Sequence, residues 1–428
     1  MTPDFLTRRR FMRMTAAAAA AVAGLPALTH CGDPTGPELR GRSPLIQPPD
    51  LGVSGATLTA RPGTAAIADG EIADAWLFND SLPGPTLRAG RGDAVRLDLV
   101  NALAAPTVVH WHGMLVPEEA DGHPRNAIAP GSSYAYAFPV QQRAGTYWYH
   151  PHAHHHTAEQ IQRGLAGFFI VTDEEEAALP LPAGEHEVLL MLQDRAAAVG
   201  DAFAHAPGST DLHDGMLRGT AYGNGVRRPA LDVAGGCYRF RLVNASHARV
   251  YRIGISSGAA LTVIGNDGGL LPAAAELSNV WLGVGERTDF LIDFTDVPVG
   301  TRLMLRSLPF DVPGSGGKSP QGTAMDLLEL TRVASGAPGM ASLPPVLSSV
   351  TPLGAPVRDR TFEFRTTVSE EMHLINGLTF DMHRVDVTVP FGEVERWIFR
   401  NDSTLPHPVH MHGIQFQIVS RSGGRGTV

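Results

Sequence analysis

Histidine occurs in three closely spaced sets in this sequence. The members are His110 and His112 in His-Trp-His-Gly, His150 and His152 in Tyr-Trp-Tyr-His-Pro-His, and His407, His410 and His412 in His-Pro-Val-His-Met-His-Gly. Because residues i and i+2 of a strand lie on the same face, each His-x-His pair can present two imidazoles to one metal ion or to two neighbouring ions. A single pair is explained equally well by surface or core histidines that bind no metal, but three sets together indicate metal binding.

The number of histidines narrows the kind of metal site. Imidazole suits zinc, copper, iron and nickel, so the ligand type does not select the metal. A mononuclear zinc site needs about four ligands, whereas seven histidines in three sets indicate several metal ions. Some zinc hydrolases on αβ barrels also use a His-x-His pair, but they need regularly alternating helices, which this sequence lacks. The count therefore favours a copper cluster.

One strand pattern that would carry these histidines occurs three times. The copies are Ala94–Asn101, Cys237–Asn244 and Glu395–Asn401, and each ends in an asparagine, a residue that favours a turn. In the first copy apolar residues alternate with polar ones, as in a half-buried strand. The copies lie about one domain length apart, so the sequence predicts three copies of one domain.

The histidines follow only the outer two copies. His110 and His410 each stand nine residues after the asparagine that ends their strand, whereas the same position of the middle copy is Ile253. The second histidine of each outer pair follows two residues later. A structural requirement of the strand does not explain this difference. We therefore predict metal ligands in the outer domains and a middle domain that serves as a spacer without copper ligands.

Composition favours an all-β protein. The chain has 428 residues, of which 47 are glycine and 33 proline, with 43% hydrophobic and 18% charged residues. Such turn-rich composition with ample core material is typical of β architecture rather than of helix bundles. A net charge of −9, with no basic run beyond the N-terminus, argues against nucleic acid or an anionic membrane surface as a partner.

Breaks in composition between the strand copies give the domain boundaries. An acidic stretch and a Leu-Pro-Leu-Pro sequence separate a first domain at 45–175 from a second at 183–335, and a Pro/Gly/Ser-rich passage precedes a third at 357–428. Residues 313–322 are interpreted as a flexible hairpin connection within the middle domain.

Residues 1–30 resemble an export signal. An arginine-rich start precedes an alanine-rich run, and the consecutive arginines resemble a twin-arginine signal. Because this run is shorter than the roughly 20 residues of a membrane span, we expect an exported periplasmic or extracellular protein without a transmembrane span. The residues before Cys31 weakly resemble a lipoprotein cleavage site, so a lipid anchor attached to Cys31 is the weaker alternative. Cys237 is expected to be a small buried residue, and we expect no disulfide framework.

Several motifs together resemble the multicopper oxidase family. Besides the histidine sets, they are Pro83-Gly-Pro-Thr86, Asp121-Gly122, Gly164-Leu-Ala-Gly167, Asp267-Gly-Gly269 and Gly285-Glu-Arg287. The resemblance covers the chain from about residue 50 onward. It implies three cupredoxin-like Greek-key β-sandwich domains, a trinuclear copper cluster between the first and the third, and a mononuclear type 1 copper in the third.

The resemblance also implies a role for each histidine. His110 and His410 would bind the type 2 copper, His112, His150, His152 and His412 would bind the type 3 pair, and His407 would be a type 1 ligand. Asp121 matches an acidic residue thought to help deliver protons to bound oxygen, although an ordinary Asp-Gly turn explains it equally. His123 and the run His154-His155-His156 are more readily explained as turn and loop residues.

One expected motif is missing from the chain. The family's type 1 site includes a His-Cys-His stretch, because a blue-copper site needs a cysteine thiolate, and this sequence contains no such stretch. The histidine spacing of the first copy, applied from His410, places a second pair beyond Val428. We therefore expect an incomplete third domain, with unpaired strands, and a chain that is inactive as given.

The resemblance implies a laccase-like oxidoreductase in the full-length form, which couples one-electron oxidation of a small reducing substrate to four-electron reduction of dioxygen to water. The family oxidises phenols, bilirubin-like pigments, cuprous ion and manganous ion, so the substrate stays open. The alternative is a non-catalytic cupredoxin scaffold of the cell envelope, against which the retention of all seven histidines argues. A copper nitrite reductase is expected to carry a type 1 cysteine in its first domain, and none is present there.

Overall fold

Strands make up most of the regular secondary structure in the part of the chain that the structure describes. The computed structural model describes residues 42–312, 319–335, 342–367, 372–403 and 405–422. Within these ranges the helices are few and short, so the prediction of an all-β protein is confirmed. The proposed export signal, Cys31 and most of the 313–322 connection lie outside the described residues.

The first region, residues 50–172, consists of two sheets packed face to face. A short strand outside this region, β1 (Ser43–Pro44), precedes it. The strands of the first region are β2 (Asp50–Gly52), β3 (Ser54–Ala68), β4 (Glu71–Phe78), β5 (Gly84–Gly90), β6 (Ala94–Asn101), β7 (Val109–His112), β8 (Ser133–Pro139), β9 (Gly145–Pro151) and β10 (Gly167–Thr172). One sheet has the order β2-β5-β10-β9-β7 and the other β4-β3-β6-β8. Leu97 and Leu99 on β6 alternate with exposed residues and pack with Trp111 and Tyr149 of the opposite sheet.

The middle region, residues 187–332, is also built from two sheets. Its strands are β11 (Glu187–Arg195), β12 (Thr220–Gly223), β13 (Val226–Arg227), β14 (Pro229–Val233), β15 (Cys237–Asn244), β16 (Tyr251–Ile255), β17 (Leu261–Asn266), β18 (Gly269–Leu277), β19 (Val280–Leu282), β20 (Arg287–Asp293), β21 (Arg302–Ser307) and β22 (Met325–Arg332). The sheets have the orders β13-β12-β11-β15-β20-β17-β18 and β1-β14-β22-β21-β16-β19. Leu45, which the sequence placed at the start of the first domain, packs in this middle core because β1 pairs with β14.

The third region, residues 358–422, has one small sheet in its described part. Its strands are β23 (Arg358–Thr367), β24 (Met372–Ile375) and β25 (Glu395–Asn401), in the order β24-β23-β25. Phe362 lies with its ring centroid 4.6 Å from that of Trp397 and 5.4 Å from that of Phe399, so aromatic contacts hold β23 against β25. Among residues 402–403 and 405–422, no strand follows β25.

The helices of the described ranges connect strands. They are α1 (Thr157–Gln162), α2 (Glu174–Ala177) and α3 (Ser209–Asp214), with 3-10 helices at Glu118–Ala120, Pro124–Asn126, Gly184–His186, Val199–Asp201 and Pro320–Gly322. None of them has the length and apolar character needed to cross a bilayer.

A buried ion-pair network fixes the first region against the middle region. Strand β15 is buried along its whole length, and its Arg241 approaches Glu176 Oε1 at 2.7 Å and Asp289 Oδ2 at 3.0 Å. Thr146 of β9 donates to Asp289 Oδ1 at 2.6 Å. Charges removed from water must be paired and hydrogen-bonded, so these contacts specify how the two regions dock. Strand β9 also carries His150, and the network therefore anchors a strand of the histidine site.

Candidate metal centre

Strand pairing brings the first two histidine sets together. His110 and His112 lie on β7, which pairs with β9 so that His110 stands opposite His150 and His112 opposite Trp148. The antiparallel ladder places cross-strand neighbours side by side, and His152 follows immediately after β9. The side chains of His110, His112 and His150 are 1%, 7% and 6% exposed, so three imidazoles are withdrawn from water.

The third region adds two imidazoles to this group. The ring of His412 stacks on that of His110 and the ring of His410 stacks on that of His112, each with centroids 3.7 Å apart. Nitrogen atoms also converge: Nε2 of His110 lies 3.2 Å from Nε2 of His410, and Nδ1 of His112 lies 3.2 Å from Nε2 of His150. His152 completes the group, with its ring centroid 5.1 Å from that of His412. These six side chains, His110, His112, His150, His152, His410 and His412, are called the histidine cluster below.

Two sets of ligand atoms in the histidine cluster are close enough to hold metal ions. They are His110, His112 and His150, and His110, His410 and His412, and within each set the ligand atoms lie within 4.8 Å of one another. His110 belongs to both sets, so the two sites would be adjacent.

His407 makes a different set of contacts. Its Nε2 lies 2.8 Å from Ser403 Oγ, and its ring centroid is 6.3 Å from that of His373. Its ring also lies 5.5 Å from that of Phe364 on β23. The structure thus brings six of the seven predicted histidines together and gives His407 separate neighbours.

Backbone and carboxylate acceptors orient three rings of the histidine cluster. Nδ1 of His110 lies 2.7 Å from the carbonyl oxygen of Asp121, and Nδ1 of His150 lies 2.9 Å from that of Pro151. Nδ1 of His412 lies 2.8 Å from Asp121 Oδ2. If each Nδ1 donates its proton to these oxygens, Nε2 carries the lone pair. Metal-binding histidines are oriented in this way by hydrogen bonds from their second nitrogen.

Burial keeps the imidazoles neutral. Loss of solvation lowers the pKa of His110, lowers the pKa of His112 and of His150 well below the ordinary histidine value, and lowers the pKa of His152 to about 4. A metal ligand must be the neutral imidazole, so these shifts keep the donor nitrogens available in weakly acidic solution. A group of buried imidazoles with few other partners fits a bound cation.

Asp121 joins the first region to the third. Its Oδ1 lies 3.4 Å from His110 Nδ1, while Oδ2 lies 2.8 Å from His412 Nδ1. Burial opposes its ionisation, but the neighbouring imidazoles of His110 and His412 outweigh burial and lower the pKa of Asp121. Its carboxylate is therefore the ionised form at neutral pH, and it supports rings from two distant parts of the chain.

The remaining histidines singled out in the sequence make other contacts. His123 caps the 3-10 helix Pro124–Asn126 by accepting from the Arg125 backbone N–H at 3.2 Å. His154 and His155 are exposed, with ring centroids 3.8 Å apart, and His156 lies 3.6 Å from Glu159. They are not members of either set of converging ligand atoms.

Trp148 and Gly285 lie in motifs that carry the family resemblance, but sequence reasoning gave neither of them a role, and both shape the site. The ring of Trp148 lies 4.3 Å from that of His150 and 5.0 Å from that of His112. Its position two residues before His150 could have revealed it, because strand periodicity puts both on one face. A Cβ at Gly285 would lie 2.8 Å from Cε1 of His112. The middle region is therefore not a passive spacer, since part of it touches the histidine cluster.

Comparison with known proteins places the chain in one family. Family models described as multicopper oxidase match residues 59–176 and 351–427. Cell division protein FtsP of Photorhabdus laumondii is 32% identical over 353 residues, which are 81% of this chain and 73% of that protein. A laccase of Bacillus stratosphericus is 29% identical over 391 residues, with 81% of this chain and 76% of the laccase covered.

Solved structures show the same architecture. McoA multicopper oxidase from Aquifex aeolicus has a TM-score of 0.79 at 28% identity, with 89% of this chain and 86% of McoA covered. The laccase-like multicopper oxidase CueO from Ochrobactrum sp., which has oxidase activity towards lignin model compounds and lignosulfonate, has a TM-score of 0.76 at 29% identity, with 84% and 83% covered. The expected cupredoxin-type β architecture is confirmed, and the chain belongs to the multicopper oxidase family.

Proposed function

We propose that this chain carries the dioxygen-reducing centre of a copper-dependent oxidoreductase. The observation that carries the proposal is the convergence of six imidazoles from two regions of the chain, five of which form two adjacent ligand sets that share His110. Copper, when bound, supplies one-electron redox steps and the four-electron reduction of dioxygen to water. His110 and His410 are proposed to hold a type 2 ion, and His112, His150, His152 and His412 a type 3 pair.

The protein side chains have separate tasks in this proposal. The backbone carbonyls of Asp121 and Pro151 hold His110 and His150 with Nε2 free for the metal. Asp121 Oδ2 holds His412, while its buried Oδ1 makes no hydrogen bond within the described residues. The ionised Asp121 is therefore proposed to help deliver protons during dioxygen reduction, because Oδ1 can accept a hydrogen bond from the group that carries the proton. His407, with its separate contacts, is proposed as a type 1 ligand on the side where electrons enter.

The reducing substrate is proposed to be a small molecule or ion. A phenol-like compound has support from the CueO relative with activity towards lignin model compounds, and pigments and metal ions remain in the same proposal. The arginine-rich start and alanine-rich run at residues 1–30 support export, by the twin-arginine route, to the periplasm or outside the cell.

The similarity to FtsP favours a second candidate function. Several relatives about one third identical carry the name cell division protein, so a non-catalytic role in the cell envelope during division is the alternative. The two candidates differ in what they require of the histidine cluster: an oxidase needs it loaded, whereas a scaffold does not.

Copper content and oxygen uptake separate the two candidates. The protein is loaded anaerobically with cuprous ion, desalted and analysed for copper by mass spectrometry. After reoxidation in air, Cu(II) is measured by electron paramagnetic resonance. We expect several copper ions per chain, lost in His110→Ala and retained in His155→Ala, an exposed histidine near the cluster. Oxygen uptake with a phenol such as 2,6-dimethoxyphenol is measured on the copper-loaded protein. A protein that retains no copper contradicts the oxidase proposal. Normal division of cells from which the gene has been deleted contradicts the division role.

A further inference from the structure

Arg287 is a buried cation at the junction of all three regions. It is the first residue of β20, and only 5% of its surface is exposed. Nε donates to the carbonyl oxygen of Thr146 at 3.1 Å, Nη1 to that of Gly285 at 3.0 Å, and Nη2 to that of Asp267 at 2.9 Å. Nη1 also lies 2.6 Å from Asp267 Oδ1. Three of these four contacts are with neutral carbonyls, so Asp267, whose side chain is 45% exposed, is the only carboxylate among them. Glu286 also lies close enough for its charge to interact with that of Arg287.

This cation lies beside the histidine cluster. A cavity of about 50 Å³ is lined by Arg287, by the acidic residues Asp267 and Glu286, and by His112 of the first region and His410 of the third. Glycines allow the close approach: a side chain at Gly113, directly after His112, would collide with Nη2 of Arg287, and one at Gly285 would meet the His112 ring. A cavity of this size holds about one water molecule or one small anion.

We propose that Arg287 is a positioning residue whose buried positive charge favours anionic ligands at the histidine cluster. This inference rests on the proposed function, because the ligands in question bind at the loaded metal centre. Arg287 carries a permanent charge, since a guanidinium stays protonated in proteins. The charge does not touch a ligand atom directly. It acts across the short space between Gly113 and Gly285, where Coulomb interactions are stronger than in bulk water because the surroundings are mostly protein.

The electrostatic effect on the rings agrees with this placement. Burial is the main cause that lowers the pKa of His112, and the charge of Arg287 is the next. The same charge also lowers the pKa of His410, after burial and the neighbouring histidines. A cation at this site disfavours additional positive charge, so it favours the reduced state of a bound redox metal and attracts small anions.

Azide binding and the reduction potential test the proposal on copper-loaded protein. Replacing Arg287 by Gln removes the charge, and we expect azide affinity about tenfold lower and a lower reduction potential of the centre. Arg287→Lys keeps a positive charge but loses the planar fork, so it is expected to lose stability while keeping most of the azide affinity. Thermal unfolding of the metal-free variants measures the structural loss separately.

Asp267→Asn tests the same charge in the opposite direction. Removal of the carboxylate beside Nη1 leaves Arg287 less neutralised, so azide should bind more tightly than in the parent. Asn has the same size as Asp and retains one oxygen that accepts hydrogen bonds, so this variant still tests the proposal if Arg287→Gln does not fold. Unchanged azide affinity in Asp267→Asn would overturn the proposal.

Arg249 provides the matched control. It is also buried in the middle region, with Nε 2.9 Å from Asp194 Oδ2 and further bonds to backbone carbonyls, including that of Pro320 at 2.9 Å. Arg249→Gln is expected to lower stability but not azide affinity. Equal loss of azide affinity in Arg249→Gln and Arg287→Gln would contradict a specific role for Arg287. A parent protein that retains no copper would instead overturn the proposed function itself.

Discussion

The first and third regions carry the same His-x-His-Gly motif at the same distance from a strand-ending asparagine, but they hold it differently. In the first region His110 and His112 lie on β7 and are paired with β9. In the third region, within the described residues, His410 and His412 lie outside any strand and are exposed. The rings of the third region are held by stacking on those of the first and by Asp121. The first region is therefore the template on which the third-region ligands are arranged.

The largest expected effect is the loss of metal in His110→Ala. His110 belongs to both ligand sets and also stacks on His412, so its removal disrupts both sites. We expect copper affinity to fall by at least about 100-fold, a larger loss than in His412→Ala, which leaves the His110, His112 and His150 set complete. Competition titration with a chelator measures both. An equal or larger loss in His412→Ala would contradict the template role of the first region.

The first region should contribute to the acid sensitivity of the metal-free protein, together with His247 of the middle region and His410 of the third, because burial lowers the pKa of these histidines too. The pKa of His152 is lowered to about 4 in the folded chain, against about 6.5 when unfolded. Between these values only the unfolded chain binds the proton, so stability is full above about pH 6.5 and falls as the pH drops toward 4. His152 alone accounts for up to about 3 kcal/mol of that loss.

Urea unfolding of metal-free protein at a series of pH values measures this effect. His152→Gln should flatten the dependence between pH 6.5 and 4, whereas His155→Gln, at an exposed position, should leave it unchanged. An identical slope in parent and His152→Gln would show that His152 is not a source of acid sensitivity.

Asp121→Asn should weaken the link between the two regions. The backbone carbonyl that orients His110 is retained, but the carboxylate that accepts from His412 Nδ1 is lost. Loss of such an outer partner lowers metal affinity by about 10- to 100-fold, and we expect the loss at the set that contains His412. Glu118→Gln, which removes an exposed carboxylate three residues away, is the control. Electron paramagnetic resonance with sub-stoichiometric copper shows which ligand set has lost copper. If copper is lost only from the site of His112 and His150, the prediction is contradicted.

The smallest expected effect concerns one hydrogen bond between the regions. Gln415 Nε2 donates to the carbonyl oxygen of Gly113 at 2.6 Å, whereas Gln417 Nε2 donates to that of Thr351 at 2.8 Å and does not reach the first region. Gln415→Ala should destabilise third-region docking by about 1 kcal/mol, and Gln417→Ala should not. The rate of hydrogen exchange of the backbone amides around His410 measures how stably the third region is docked. Equal exchange rates in Gln415→Ala and Gln417→Ala would contradict the prediction.

Local patterns predicted the strands well. The alternation in Ala94–Asn101 is reproduced as alternating burial on β6, and all three repeated strands end where their asparagines begin a turn. The middle copy differs because both faces of β15 are covered, and its arginines are paired with acids. No local sequence pattern could predict these ion pairs, since Glu176 and Asp289 are far from β15 in the chain.

The sequence by itself determined the all-β class, the threefold repeat and the identity of the seven histidines, because strand periodicity and motif spacing are local properties. Only the tertiary structure decided that six histidines converge, that His407 has separate neighbours, and that Asp121 supports two regions at once. Only the tertiary structure also brought Arg287 of the middle region beside His112 and His410. Such contacts join residues up to about 300 positions apart, as with His110 and His410, and depend on how the packed sheets dock.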